Sequence, residues 1–282
     1  MVDSILKTDS DKLHSEIDIV ALRNQFSKQI LENNISRFVT SPVQLLAYEE
    51  HRLAGDDETC DCDAFVLGLG EPDNPLITKV GGIPFWPIEK PWPTHSNGKP
   101  FQFLAQINFE DSKDLFTDTL PGNIASVLVS NADWYLDGEV QLFWSTGNEQ
   151  PADCQHIPIA IGKAGPFFGC IYRMRESIAD PFLGLKIGGV SRPLGRFELT
   201  PQGGFQPIPI NPESGQFAFQ ISSILAQPSL QFPFANLKEP LEMGFDDNSV
   251  HDALRSVVFC DMGSFSFWID GQGDFSYEFV AS

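Results

Sequence analysis

Hydrophobic residues follow two different periods along the chain. Residues 11–33 have the helical period, because Ile19, Leu22, Phe26 and Ile30 recur at intervals of three or four. From residue 65 onward, short aromatic or β-branched runs separated by turn residues predict strands instead. The predicted strands are Phe65–Leu69, Phe101–Phe109, Ile124–Ser130, Val140–Trp144, Pro166–Tyr172, Phe217–Ile221, Ser256–Phe259 and Phe265–Ile269.

Two Asp-Gly pairs predict β-hairpins, because this dipeptide suits the positive φ angles of tight turns. Asp137-Gly138 separates Trp134–Leu136 from Glu139–Trp144. The longer turn Asp270-Gly271-Gln272-Gly273 separates Ser264–Ile269 from Phe275–Val280.

Three short landmarks occur twice, in the same order. They are Lys79–Ile83 with Lys186–Val190, Phe103–Ile107 with Phe217–Ile221, and Trp134–Gly138 with Phe267–Gly271. The separation between copies grows along the chain, as expected when loops lengthen in one copy of a duplicated unit.

These patterns together predict an α+β fold. We expect a β-rich body of two pseudo-repeated halves with an N-terminal helical segment. The expected units are residues 1–63, a helical segment and an acidic loop, then a first β-rich half at 64–150 and a second at 151–282, packed as one globular unit. A ligand is expected in the cleft shared by the two halves.

Charge limits the choice of partner. The chain has 18 Lys+Arg and 38 Asp+Glu, a net charge of −20. Nucleic acid and anionic membrane are disfavoured, since phosphate binding needs clustered basic residues. The surface charge either keeps a cytosolic protein soluble or attracts a basic protein or peptide.

Location and redox state follow from other absences. The first seven residues lack an apolar signal core, and no apolar run is long enough to span a bilayer. Five scattered cysteines do not form a disulfide framework. We expect a cytoplasmic protein; its oligomeric state is left open.

Two tryptophans form the best candidate binding feature. Trp86 and Trp92 lie among prolines in the segment Pro84–Pro93, which predicts a stiff, extended loop. Such a loop is either a lid over the core or a platform for a peptide, and we expect at least one indole to be exposed in a concave surface.

Further candidates lie on or beside predicted strands. Gln106 and Gln220 occupy matching positions, where each buried amide either bonds backbone or orients a ligand. Asp261 and Asp270 are the carboxylates nearest the core strands. The repeated Gly-Gly pairs favour sharp backbone bends over an anion cradle, because no phosphate-binding pattern follows.

Signatures of catalysis and of bound metal are absent from the sequence. There is no nucleophile elbow and no paired histidine spacing, so no catalytic residue, metal or cofactor is assigned. His51, Cys60 and Cys62 are the nearest metal candidates. A solvated acidic loop over residues 56–63 is the preferred interpretation of that segment, because nearby acids raise thiol pKa values.

One stretch resembles a known family. Gly81-Gly82 and Pro84 are followed by Trp92-Pro93 and by the strand Phe103–Asn108, Phe-Leu-Ala-Gln-Ile-Asn. This pattern is similar to the YwqG-like family of uncharacterised bacterial proteins, the domain of unknown function 1963. The second copy has Ser191 in place of Pro84 and no Trp-Pro. The resemblance implies an α+β fold and, from the bacterial settings of family members, an immunity-like role.

The leading hypothesis is a cytoplasmic binding protein without catalysis, which engages a basic protein or peptide through the acidic surface and the loop of Trp86 and Trp92. The second hypothesis is a small-molecule enzyme or sensor with a carboxylate and glutamine site between the halves. A structural or oligomerising role is the third.

Overall fold

The computed structural model describes residues 58–69, 71–130, 139–159, 167–178, 182, 184–191, 197–199, 205–207, 215–222 and 264–280. Within these residues the chain forms twelve strands and one 3-10 helix, Glu110–Leu115. The strands are β1 (Thr59–Leu69), β2 (Lys79–Val80), β3 (Gln102–Asn108), β4 (Ile124–Val129), β5 (Val140–Ser145), β6 (Phe167–Ser177), β7 (Lys186–Gly188), β8 (Phe197–Leu199), β9 (Phe205–Pro207), β10 (Gln216–Ser222), β11 (Ser264–Ile269) and β12 (Phe275–Val280).

The predicted strands that fall on described residues are confirmed, and the hairpin of β11 and β12 pairs across the turn that begins at Asp270. The first predicted hairpin is not tested, because Trp134–Leu136 lies outside the described residues; β5 pairs with β4. Ser256–Phe259 also lies outside them.

The expected α+β class is wrong. The described residues contain strands and only one short 3-10 helix, so this part of the chain is all-β. Aromatic and β-branched runs dominate the described sequence, and they pair edge to edge. The predicted N-terminal helical segment falls on residues outside those described. Within the described residues, no helix has the length and apolar character needed to cross a membrane.

Ten strands form one sheet whose order is palindromic: β12-β11-β10-β7-β1-β6-β2-β3-β4-β5. Exchanging β1 with β6, β2 with β7, β3 with β10, β4 with β11 and β5 with β12 reverses this order. Long antiparallel pairing of β1 with β6 forms the centre, with Val66 opposite Cys170.

The register repeats along with the strand order. Lys79 pairs with Gln106 as Lys186 pairs with Gln220. A bulge interrupts β3 between Phe103 and Ala105, and β10 has a bulge at the corresponding place. Because one residue of slip would reverse every side chain, two matching bulges are a specific correspondence. The first two sequence landmarks therefore occupy equivalent positions in the sheet, as the predicted duplication requires, whereas Trp134–Gly138 of the third lies outside the described residues.

A shared hydrophobic core lies between the two ends of the sheet. One cluster contains Ile107 and Ala125 of the first half together with Ile187 and Phe219 of the second. The rings of Phe109 and Phe219 are 5.9 Å apart, although four strands separate β3 from β10. The sheet therefore curls around this core, and the opposite face of β3 and β4 is covered by loops.

Candidate functional site

The tryptophan loop, residues 83–101, covers the outer face of β3 and β4. Trp86 donates from Nε1 to the carbonyl of Lys90 at 2.8 Å, and Trp92 donates to the carbonyl of Phe101 at 2.9 Å. Backbone bridges join Pro87 to Pro151 and Thr94 to Pro100. These bonds hold the loop in one conformation, as the proline-rich sequence predicts.

The two indoles differ in exposure. Trp86 is only 2% exposed, and packs in a cluster with Phe101 and Phe103 beneath the loop. Trp92 is half-buried, with its ring centroid 4.5 Å from that of Trp86, and Ile88 nearby in the loop is 54% exposed. Trp86 is therefore a lid over the core, while Trp92 and Ile88 can be reached from solvent.

A buried lysine lies on the same face of the sheet. Lys79 of β2 is opposite Gln106 of β3, and its ammonium contacts Glu71 Oε1 at 2.8 Å. Glu71 also accepts, at Oε2, the backbone N–H of Ile83 at 3.1 Å. Burial lowers the pKa of Lys79, and the hydrogen bond and charge of Glu71 only partly oppose this effect.

The second half repeats this arrangement. Lys186 donates to both oxygens of Glu176 at 2.9 and 2.6 Å, and to the carbonyl of Val190 at 2.7 Å. Glu176 also accepts the N–H of Val190, four residues after the lysine, as Glu71 accepts the N–H of Ile83. We call each arrangement a clasp: the first clasp is Glu71, Lys79 and Ile83, and the second is Glu176, Lys186 and Val190.

The repeated glycines shape the clasps. Gly188 and Gly189 have φ angles of 69° and 76°, and Gly81 and Gly82 have φ angles of 73° and 76°. Residues other than glycine rarely adopt such positive φ angles. A Cβ on Gly189 would overlap the Glu176 carboxylate. The expected sharp bend is confirmed, and in the second clasp the anion beside the bend belongs to the chain itself.

The two predicted glutamines do not meet. Gln106 is buried, accepts the N–H of Phe85 at 2.8 Å, and donates to the carbonyls of Pro75 and Ile77. Gln220 bonds the Ser222 hydroxyl at 2.8 Å. Their neighbours Ile107 and Phe219 point into the shared core, so the two amides lie on the opposite face of the curled sheet, on strands that four others separate. The side-chain amide of Gln106 bonds backbone groups through both its NH2 group and its oxygen, as expected of a structural amide.

The predicted carboxylates are not brought to either clasp by the described structure. Asp270 accepts at Oδ1 the N–H groups of Gln272 and Asp274, so it organises the β11–β12 turn. Asp261 lies outside the described residues. Asp270 and the two glutamines therefore occupy three separate places in the sheet.

The sequence predicts a solvated acidic loop over residues 56–63, and this prediction is wrong for the part of it that the strand β1 contains. Residues from Thr59 onward belong to β1, and Asp63 is completely buried. Arg173 of β6 contacts Asp63 Oδ1 at 2.5 Å and also Asp114 Oδ2 at 2.6 Å. Its hydrogen bonds lower the pKa of Asp114. This network ties β1 to β6 beside the centre of the sheet.

The described cysteines are poor nucleophiles. Burial, followed by the charge of Glu176, raises the pKa of Cys60 to about 11 and raises that of Cys62 further. Burial also raises the pKa of Cys154. Among the described residues, no three His, Cys, Asp or Glu side chains are grouped to hold a metal ion; His51, the third metal candidate, lies outside them.

Sequence reasoning missed the lysines. Both begin a Lys-x-Gly-Gly landmark, and this repetition was the available signal. Their glutamates could not be found by spacing, because Glu71 precedes Lys79 by eight residues while Glu176 precedes Lys186 by ten. Glu176 lies in β6 and Glu71 in the loop between β1 and β2, so the tertiary fold and not a fixed spacing brings each carboxylate to its lysine.

Within the described residues, fold and site together define an all-β body with two lysine–glutamate clasps at equivalent positions, one of which lies beside the tryptophan loop. Residues 78–123 match the family model described as Domain of unknown function (DUF1963). This confirms the resemblance for a region that contains Lys79, the tryptophan loop and β3. No curated protein matches the chain.

Proposed function

We propose that the protein is a cytoplasmic, non-catalytic binding protein that engages a basic protein or peptide through the tryptophan loop. The observation that carries this proposal is the partial exposure of Trp92 on a loop fixed by hydrogen bonds. An immunity-like role is one form that such binding would take.

Rigidity of the loop favours binding. An aromatic side chain that is already held in place loses little conformational entropy when a partner covers it. Tryptophan is also among the residues that contribute most to binding when they lie at the centre of an interface. Trp92 provides the aromatic surface, and Ile88, more than half exposed, provides apolar surface at its rim.

Charge supports a basic partner. The net charge of −20 creates a negative field that accelerates encounter with cations and repels anions. Glu89 and Lys90 offset each other in the loop, and Lys99 leaves it one positive charge, which is small against the net charge of −20. The acidic surface would attract the partner, and the apolar groups of the loop would retain it.

The test uses a fluorescein-labelled peptide that repeats Lys-Val-Pro, because its proline keeps it extended and monomeric. Fluorescence anisotropy with the full-length protein should show binding that weakens as salt rises. Trp92→Ala and Ile88→Ser should each weaken binding, Trp92→Ala by about thirtyfold, the effect of losing roughly 2 kcal/mol at a hot spot.

Two controls separate this contact from general attraction. Ile178→Ser changes another exposed isoleucine, 40% exposed and outside the tryptophan loop, and should leave binding unchanged. A Glu-Val-Pro repeat should not bind. Equal binding of the lysine peptide by wild type and Trp92→Ala would show that the loop is not the binding surface.

A further inference from the structure

The two clasps differ in how fully the lysine is bonded. An ammonium group has three N–H donors. Lys186 directs them to Glu176 and to the carbonyl of Val190, whereas Lys79 has one acceptor among the described residues, Glu71 Oε1. Yet the Lys79 side chain is only 1% exposed. Buried donors are normally bonded, so Lys79 has capacity for further acceptors.

The clasps also differ in access. Both side chains of the second clasp are completely buried. In the first clasp Glu71 is 36% exposed and Ile83 is 38% exposed, so solvent reaches the clasp from the side of the glutamate. The same arrangement is therefore closed in one half of the sheet and open in the other.

We propose that the first clasp is a peptide-binding subsite, in which Lys79 donates to a backbone carbonyl oxygen of the bound partner. This inference rests on the proposed function and names a second contact for the same partner. Ile83, exposed beside Glu71, provides the apolar surface against which an adjoining side chain of the peptide packs.

The second clasp indicates the chemistry of the acceptor. There the additional oxygen is a neutral peptide carbonyl, that of Val190, at 2.7 Å from the ammonium. A ligand carboxylate at Lys79 would lie beside the Glu71 carboxylate, and like charges at that separation repel. A neutral oxygen completes the hydrogen bonds without adding that repulsion.

The position of the first clasp connects it to the tryptophan loop. Lys79 is opposite Gln106, and Gln106 accepts the N–H of Phe85, a residue of that loop. Ile83 of the first clasp is also the first residue of the loop, so a peptide that lies along the loop reaches the exposed side of the clasp, where Ile83 and Glu71 lie.

Lysine-selective NMR on the wild-type protein tests the subsite directly. The Cε signals of Lys79 and Lys186 are assigned by loss in Lys79→Met and Lys186→Met. N-methylacetamide, the smallest peptide carbonyl, should shift the Lys79 signal in a saturable manner and leave the Lys186 signal unchanged. Acetate is the matched anionic probe.

Three outcomes would overturn the inference. A Lys79 shift with acetate alone would make the site an anion site. Equal shifts at both lysines would mean a solvent effect, and no shift with either probe would mean that Lys79 is closed to ligands.

The Lys-Val-Pro peptide separates this inference from the proposed function. Lys79→Met should weaken its binding about fivefold, the effect of one hydrogen bond, with an unchanged salt dependence. If Lys79→Met binds as wild type while Trp92→Ala does not, the subsite is wrong and the proposed function stands. If neither substitution matters, both proposals fail.

Discussion

Replacing each clasp lysine by methionine should change the free energy of unfolding by very different amounts. Methionine preserves most of the length and apolar character of the lysine side chain but removes the ammonium group. The lysines occupy equivalent positions, so the comparison isolates the surroundings of the charge. We expect Lys186→Met to be strongly destabilising and Lys79→Met to be nearly neutral or stabilising.

The loss of stability expected for Lys186→Met follows from the buried Glu176 carboxylate that the substitution leaves without its lysine. Glu176 is completely buried, and loses the only positive charge bonded to it among the described residues. Its carboxylate keeps the N–H groups of Phe182 and Val190. Removing one partner of a buried ion pair costs about 3 to 5 kcal/mol, so the variant should lose stability within that range.

The change in stability expected for Lys79→Met is smaller, because the Glu71 carboxylate is partly exposed and can bond water in place of the lysine ammonium. The substitution also removes the cost of a buried ammonium. Replacement of a buried charge by an apolar side chain is often neutral or stabilising, so we expect stability within about 1 kcal/mol of wild type or above it.

The pKa of Lys79 gives this prediction a pH dependence. Its pKa is lowered in the folded protein, chiefly by burial, so the charged form opposes folding below that value. Between the lowered pKa and the ordinary value of 10.5, the unfolded chain binds more protons, and wild-type stability rises with pH. Any advantage of Lys79→Met should therefore shrink as the pH rises through that window.

Urea unfolding followed by tryptophan fluorescence measures both variants against wild type, with equal m-values required for the comparison. Circular dichroism establishes that each variant is folded at the start. Equal losses for the two variants would refute the reasoning, because the lysines would then act through their common position in the repeat and not through their different burial.

Three further predictions concern other positions. Gly189→Ala should lower the free energy of unfolding in urea by more than about 3 kcal/mol, because the new Cβ clashes with the Glu176 carboxylate and the backbone is left-handed. The left-handed backbone alone costs roughly 1 to 2 kcal/mol. The control Gly98→Ala has open space around the new Cβ and should show only that smaller cost. Arg173→Met should cost about 3 to 5 kcal/mol by the same assay, since buried Asp63 loses its partner, and Arg173→Lys should not restore the forked contact with two carboxylates. Alkylation of Cys60, located by mass spectrometry, should accelerate about tenfold per pH unit up to its pKa of about 11; a rate that levels off near neutral pH would contradict the raised pKa.

Local patterns in the sequence predict the strands well. The runs that contain Phe103–Ile107 and Phe217–Ile221 combine high β propensity with turn residues at both ends, and both form strands. The first two landmarks also anticipate that β2 corresponds to β7 and β3 to β10, whereas the third does not identify β4 as the counterpart of β11. The predicted α+β class is wrong for the described residues, which form strands and one short 3-10 helix, while its helical part rests on residues 11–33, outside those described.

The candidate site was harder to predict because it depends on burial and on distant partners. A lysine beside two glycines looks like a surface residue, yet Lys79 and Lys186 are both completely buried in the sheet. Whether Trp86 or Trp92 faces solvent depends on how the loop lies over β3, which spacing alone does not encode. The shared position of the lysines was visible in the sequence, and their chemistry was not.

The pairing of the central strands makes the halves interdependent. β1 pairs only with β6 and β7, both from the second half, and β6 pairs only with β1 and β2, both from the first. A fragment that ends after β5 would leave β1 without either neighbour, so it should aggregate or remain unfolded when expressed alone. Two separately expressed fragments, one for each half, should instead fold on mixing, because each supplies the strand that the other half needs beside its own first strand.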